Sequence, residues 1–176
     1  MTKEPFSALL ISDFNLDTLS GYLSHFPEGP RLQTTAAPFG QVLPVLLGDP
    51  PDRRERQNTL AIVWTQPENV IPSLRQVLGY RRVAMDQILR EVDAFSQALI
   101  RFSERVRFVF VPTWVFPTYH PGYGLLDLRE EIGMEHLFMR MNLRLSENVR
   151  ETSNLYLLNT RKWIEAAGKN AFHLKL

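Results

Sequence analysis

The stretch Phe6-Ser-Ala-Leu-Leu-Ile11, followed at once by Ser12-Asp-Phe-Asn15, decides the fold of this chain. The first six residues form a short, mainly apolar run, which predicts a buried strand. Asp17 and Leu19-Ser-Gly-Tyr-Leu23 predict a helix directly after it. In open α/β proteins, ligands bind at the carboxyl ends of the strands, where the strand order reverses. We therefore expect any functional site of this chain to include residues 12–15.

Four further runs predict strands, and apolar residues at helical spacing predict helices between them. An α/β alternation with five strands predicts a parallel sheet that is covered by helices on both faces. Right-handed crossovers favour the three-layer, flavodoxin-like strand order 2-1-3-4-5 within one domain, 1–176. The further strands are predicted at 31–36, 60–64, 106–111 and 155–158, and the helices at 17–23, 39–47, 67–79, 82–105, 129–150 and 161–167.

Two helices carry more specific expectations. In the helix 82–105, one stripe contains Ile88, Val92, Phe95, Leu99, Phe102 and Val106, which is typical of a core-facing helix. In the helix 129–150, the pattern places Ile132, His136, Met139, Leu143 and Val149 near one face. Thr160 is predicted to cap the closing helix.

Composition excludes several classes of function. The chain has 20 Lys and Arg against 19 Asp and Glu, so no excess of positive charge points to nucleic acid. It has no cysteine, which excludes disulfides, thiolate metal sites and a cysteine nucleophile. No apolar run is long enough to span a membrane, and no histidine pattern predicts a metal site. We expect a cytoplasmic protein without a metal or cofactor.

The predicted strand order brings polar and aromatic residues from several loops to one edge of the sheet. Ser12, Asp13 and Asn15 follow the first strand, and Trp64, Thr65 and Gln66 follow the third. The loops after the other strands add Phe39, Gly40, Gln41, Thr113, Trp114, Tyr119, His120, Asn159, Thr160 and Arg161.

Three of these segments carry a resemblance to a known family. Residues Ile11–Leu16, Pro38–Gln41 and Val63–Glu68 resemble SGNH/GDSL-hydrolase-like domains, and more narrowly the N-terminal domain of FkbH-like proteins. In those proteins the domain precedes a haloacid-dehalogenase (HAD)-type phosphatase domain that makes glyceryl-carrier-protein units. Asn142 and the segment 161–176 fit the narrower family. The phosphatase motif DxDxT is absent, so we expect only the first domain, either as the N-terminal part of a longer protein or as a natural single-domain protein.

The resemblance also implies where an active site would lie. Active SGNH enzymes place a serine after the first strand, glycine and asparagine amides in an oxyanion hole, and a histidine in a terminal Asp-x-x-His. The alignment puts Phe14 at the nucleophile position, Gly40 at the first oxyanion position and Gln66 in place of the asparagine. Residues Asn159, Thr160, Lys162 and Trp163 stand in the stretch of the missing Asp-x-x-His. The site is therefore predicted to be degenerate.

Two functions follow as alternatives. The first is a non-catalytic accessory module of polyketide or polysaccharide biosynthesis, which binds an acyl carrier protein, an acyl or glyceryl group, or a HAD-type phosphatase partner. The second is an active esterase or acyltransferase, with Ser12 as nucleophile, His120 as a remote base and Asp13 as the group that orients the base. Candidate ligand-binding residues are Asn15, Gly40, Gln41, Trp64, Gln66, Trp114 and Arg161.

Each candidate also has a purely structural interpretation. Ser12 is small enough for a tight strand exit, and Asp13 or Asn15 can cap the following helix. The tryptophans can pack in the core, and Arg161 can be a surface residue. A third hypothesis makes the aromatic loop 114–123 a surface for a protein partner.

Overall fold

The computed structural model describes residues 6–30, 32–48, 59–117 and 120–168. Its centre is one parallel sheet with the strand order β2-β1-β3-β4-β5, which confirms the predicted α/β fold and order. Each strand begins and ends within about two residues of its predicted bounds. The strands are β1 (Phe6–Ser12), β2 (Leu32–Ala36), β3 (Thr59–Trp64), β4 (Phe108–Pro112) and β5 (Leu155–Leu158).

Helices lie on both sides of the sheet, as expected for parallel strands that are joined by right-handed crossovers. A 3-10 turn, Gly124–Leu126, lies in the loop before the sixth helix. The helices are α1 (Asp17–His25), α2 (Val42–Leu47), α3 (Pro67–Val70), α4 (Pro72–Leu78), α5 (Met85–Ser103), α6 (Met134–Val149) and α7 (Thr160–Ala167). Within the described ranges, no helix is long and apolar enough to cross a membrane.

The core lies mainly between the sheet and the pair α5 and α6. The predicted stripe of α5 is buried, including Ile88, Val92 and Phe95. Residues of the facing side of the sheet, such as Val63 and Val109, belong to the same apolar cluster. This cluster holds the carboxyl ends of the strands at fixed positions.

The helix that was predicted over 67–79 is divided in two by Pro72. Ile71 has φ −120° and ψ 86°, outside the helical region, because a proline sterically disfavours helical geometry in the residue before it. The break places α4 beside the start of α5. The Ser73 hydroxyl and backbone N–H there both donate to the Glu91 carboxylate.

The predicted face of α6 is correct at Val149, which is buried, and wrong at three of its other positions. Ile132, Met139 and Leu143 are exposed, by 43, 47 and 55 %, and α6 begins at Met134 rather than at 129. The helix carries a second apolar stripe, and that stripe is the one buried in the core. Its members are Met134, Leu137, Phe138, Met141, Leu145 and Val149.

Candidate functional site

The carboxyl ends of β1 and β3 meet where the strand order reverses. Ser12 and Trp64 are partners in the parallel register of the two strands. Ser12 is only 7 % exposed, and its Oγ accepts a hydrogen bond of 3.0 Å from the Phe14 backbone N–H. The Ser12 hydroxyl therefore serves its own strand-exit turn.

A row of three rings occupies the place where the resemblance puts the catalytic groups. The Phe14 ring lies edge-to-face against Trp64 at 5.7 Å between centroids. Trp64 lies in the same way against Trp163 at 5.9 Å. Phe14 stands at the expected nucleophile position, and Trp163 lies in the stretch expected to carry the histidine. We call these residues the aromatic row; none of the three side chains can act as a nucleophile or a general base.

Asp13 ties the two strand ends together. Both of its carboxylate oxygens accept the Gln66 backbone N–H, at 3.0 and 3.1 Å. Burial raises the pKa of the Asp13 carboxyl, and it outweighs the opposing effects of the Gln66 N–H, the Asn69 side chain and the Arg75 charge. Asp13 thus links β1 to the start of α3.

The remaining candidate residues near the ends of β1, β2 and β3 either form hydrogen bonds with neighbouring residues or are exposed. The Asn15 Oδ1 accepts the Asp17 backbone N–H at 2.7 Å, so it serves the first turn of α1. The Gln66 Oε1 accepts from Asn69 at 3.3 Å. Gly40 and Gln41 lie exposed in the turn before α2, where Gly40 has φ +72°. In the described part of the chain, no hydrogen bond joins Gly40 or Gln41 to Gln66 or Ser12.

His120 is engaged by residues other than Ser12. Its Nδ1 accepts the Gly122 backbone N–H at 3.0 Å. Because Nδ1 accepts, Nε2 carries a proton and donates to the Leu78 carbonyl at 3.0 Å. The ring also packs on Tyr80, at 5.0 Å between centroids. Across the residues that the structure describes, no hydrogen bond connects His120 with Ser12, and Tyr119 lies outside those residues.

An open groove lies further along the same edge of the sheet, where β4 and β5 finish. Its volume is about 390 Å³. Trp114 forms its floor, and α6 and the start of α7 form its walls. The lining residues are Thr113, Trp114, Val115, Phe116, Glu135, Phe138, Met139, Asn142, Ser146, Leu157, Asn159 and Arg161.

Asn142 fixes the floor of this groove. Its side-chain amide accepts the Trp114 backbone N–H at 3.0 Å and donates to the Trp114 carbonyl at 2.7 Å. The Trp114 indole N–H donates to the Thr65 hydroxyl at 3.1 Å, and the ring is 4 % exposed. Trp114 is therefore a core residue whose outer surface forms the floor.

One ion pair crosses the rim of the groove. An Arg161 Nη donates to the Glu135 carboxylate at 3.2 Å, which joins α7 to α6. The cap of α7 is Asn159, whose Oδ1 accepts the Lys162 N–H at 3.3 Å. The predicted cap, Thr160, is instead the first residue of the helix, and its hydroxyl donates to the Leu158 carbonyl rather than capping the helix. In the described ranges, no group of three or more His, Asp or Glu is arranged to hold a metal ion.

No protein-family model matches the chain, and no curated protein does. Among solved structures, it is similar to the N-terminal part of the protein BF1531 from Bacteroides fragilis, which contains a phosphatase domain and is complexed with Mg. The identity is 13 % and the TM-score 0.66, over 94 % of this chain and 43 % of that one. The similarity shows the fold, and the chain spans less than half of the neighbour's length.

Proposed function

We propose that this chain is a non-catalytic SGNH-like domain, the N-terminal part of a longer protein, which acts as a binding or accessory module for a HAD-type phosphatase domain. The pathway class that the sequence resemblance suggests is carrier-linked polyketide or polysaccharide biosynthesis, with a carrier protein, or its acyl or glyceryl group, as a further ligand.

The aromatic row is the observation that carries this proposal. A working serine hydrolase requires a nucleophile that is activated by a base, because an unassisted hydroxyl is a weak nucleophile at neutral pH. Phe14 and Trp163 supply neither group. Ser12 is buried and engaged with Phe14, and both ring nitrogens of His120 are used elsewhere. The Bacteroides neighbour contains a phosphatase domain, which supports a partner of that kind.

The catalytic half of the proposal is tested by covalent labelling. The purified chain is incubated with a fluorophosphonate, and its intact mass is compared with that of Ser12→Ala. We expect no adduct on either protein. An adduct that appears on the unmodified chain and is abolished by Ser12→Ala would establish the esterase alternative and overturn the proposal.

The partner half is tested by size-exclusion chromatography. The chain is mixed with the isolated phosphatase domain of a protein that has the neighbour's architecture. We expect co-elution, and we expect Trp163→Ala in the aromatic row to weaken it. Separate elution at concentrations of about 100 µM, above most specific dissociation constants, would contradict the accessory role with that partner.

A further inference from the structure

We infer that the groove at the carboxyl ends of β4 and β5 binds a small organic carboxylate with an apolar body, whose head is held by Arg161. The inference extends the binding role proposed above. It does not depend on the catalytic state of Ser12, so the labelling experiment and the binding experiment below can fail separately.

The shape and the floor of the groove favour an apolar body. Small-molecule sites are typically concavities of about 300–1,000 Å³ with mainly apolar walls and a few placed polar groups. This groove has a volume of about 390 Å³. The apolar part of its lining comes from the half-buried residues Val115, Phe116 and Leu157, and Met139 adds a flexible, half-exposed thioether side chain at the wall.

Arg161 and Asn159 leave hydrogen-bond donors available on the rim of the groove. A guanidinium has five N–H groups, and Arg161 uses one Nη to reach Glu135, through a bond of 3.2 Å. Asn159 uses its Oδ1 as an acceptor for the Lys162 N–H, which leaves its NH₂ as a donor. The N-terminus of α7 adds a positive partial charge at the same place. A ligand that accepts hydrogen bonds therefore fits this rim.

The negative charge of Glu135 favours a carboxylate over a phosphate as the head group of the ligand. Its carboxylate already neutralises part of the Arg161 charge, since the two side chains form an ion pair. A phosphate dianion would meet this carboxylate at short range, where like charges repel. A planar monoanion can instead use the other edge of the guanidinium in a two-bond contact. A carboxylate is therefore the favoured head group.

The groove is also held in shape before any ligand arrives. Asn142 binds both backbone groups of Trp114, and the Trp114 indole is fixed by Thr65. The Thr113 hydroxyl donates to the Leu158 carbonyl and accepts the Thr160 N–H, which ties the start of α7 to the end of β4. A preformed site loses less conformational entropy on binding.

The test uses hexanoate as the probe and NMR as the readout. The ¹⁵N-labelled chain is titrated with hexanoate at pH 7, and the side-chain amides of Asn142 and Asn159 and the indole of Trp114 are followed. We expect saturable shifts at these groups. Acetate, which has the head without the body, and 1-hexanol, which has the body without the charge, should both bind several-fold more weakly.

Arg161→Gln removes the charge at the rim, and the exposed position of Arg161 keeps the fold intact, which the same spectra verify. We expect its dissociation constant for hexanoate to rise by about tenfold or more, because hydrogen bonds to charged groups are lost. Arg140→Gln is the matched control: Arg140 is exposed on α6 and is not among the groove residues, so its dissociation constant should not change.

Three results would overturn the inference. They are shifts that never saturate, a dissociation constant for Arg161→Gln equal to that of the unmodified chain, and binding of 1-hexanol as tight as that of hexanoate. None of them would alter the expected absence of a fluorophosphonate adduct.

Discussion

Two places along one edge of the sheet differ in what fills them; we call the one at β1 and β3 the closed end and the one at β4 and β5 the open end. At β1 and β3, the aromatic row and the bonds from Asp13 to Gln66 occupy the place where the strand order reverses. At β4 and β5, the same edge remains open as a groove. Helix α7 begins between them: Arg161 pairs with Glu135 at the groove, and Trp163 packs on Trp64. Topology thus determines which strand ends meet, while side chains decide whether space is left between them.

Trp114→Ala should have the largest effect, because it removes the floor of the open end. The ring is 4 % exposed and packs against Phe95 at 5.6 Å. Truncation of a buried aromatic side chain costs about 3–5 kcal/mol of unfolding free energy. Urea denaturation, followed by circular dichroism, measures this loss.

Trp163→Ala is the matched control at the closed end. The Trp163 side chain is 38 % exposed, and its described ring contact is the edge-to-face one with Trp64, so we expect a loss of about 1 kcal/mol. Equal losses for the two tryptophan variants would contradict the assignment of Trp114 to the core and of Trp163 to the surface.

Asn142→Ala should rank second. The change leaves the Trp114 N–H and carbonyl without their amide partner, and buried backbone groups without partners cost about 1–3 kcal/mol. Ser146→Ala, one turn further along the same wall of the groove and exposed, should change the unfolding free energy by less than about 0.5 kcal/mol. The comparison fails if both variants are equally stable in urea.

The sequence allowed the fold to be predicted because its signals are local. Five apolar runs separated by helical patterns leave few parallel topologies, once right-handed crossovers are required. The α6 error has a physical cause: two apolar stripes share one helix, and periodicity alone does not tell which stripe faces α5. The break at Pro72, in contrast, could have been predicted from the rule for residues before proline.

The candidate site was predictable only in part. Parallel strands place Ser12 and Trp64 side by side, and the alignment already put Phe14 at the nucleophile position. The bond between Asn142 and Trp114 joins residues 28 positions apart, and the contact of Trp64 with Trp163 joins β3 to α7. Side-chain contacts between distant loops leave no periodic signal, so no local pattern could reveal them.

Phe14→Ser tests whether a serine at the expected nucleophile position becomes reactive. A serine at this position restores the residue type that the resemblance expects, but no base is placed beside it, so its hydroxyl stays weakly nucleophilic. We expect no fluorophosphonate adduct in the intact mass. We also expect a loss of about 1–2 kcal/mol in stability, because the half-buried ring leaves its contact with Trp64. Labelling of Phe14→Ser would show that an unrecognised base serves this end.

Asp13→Asn should change the free energy of unfolding least, and the size of the change should depend on pH. Burial raises the pKa of the Asp13 carboxyl above its ordinary value of 3.8, so the folded state holds this proton more tightly than the unfolded chain does. The stability from this group is therefore complete below about pH 3.8 and is lost as the pH rises through the folded-state pKa.

The difference in unfolding free energy between the unmodified chain and Asp13→Asn should consequently grow as the pH falls from 7 towards 4. Asp93→Asn is the control of opposite sign, because the hydrogen bond from Arg144 lowers the pKa of Asp93. Its stabilisation is present above about pH 3.8 and is lost as the pH falls through the lowered pKa. Urea midpoints at several pH values measure both trends. If the two variants shifted in the same direction, burial would not dominate at Asp13, and the closed end of the sheet would be more open to water than its contacts indicate.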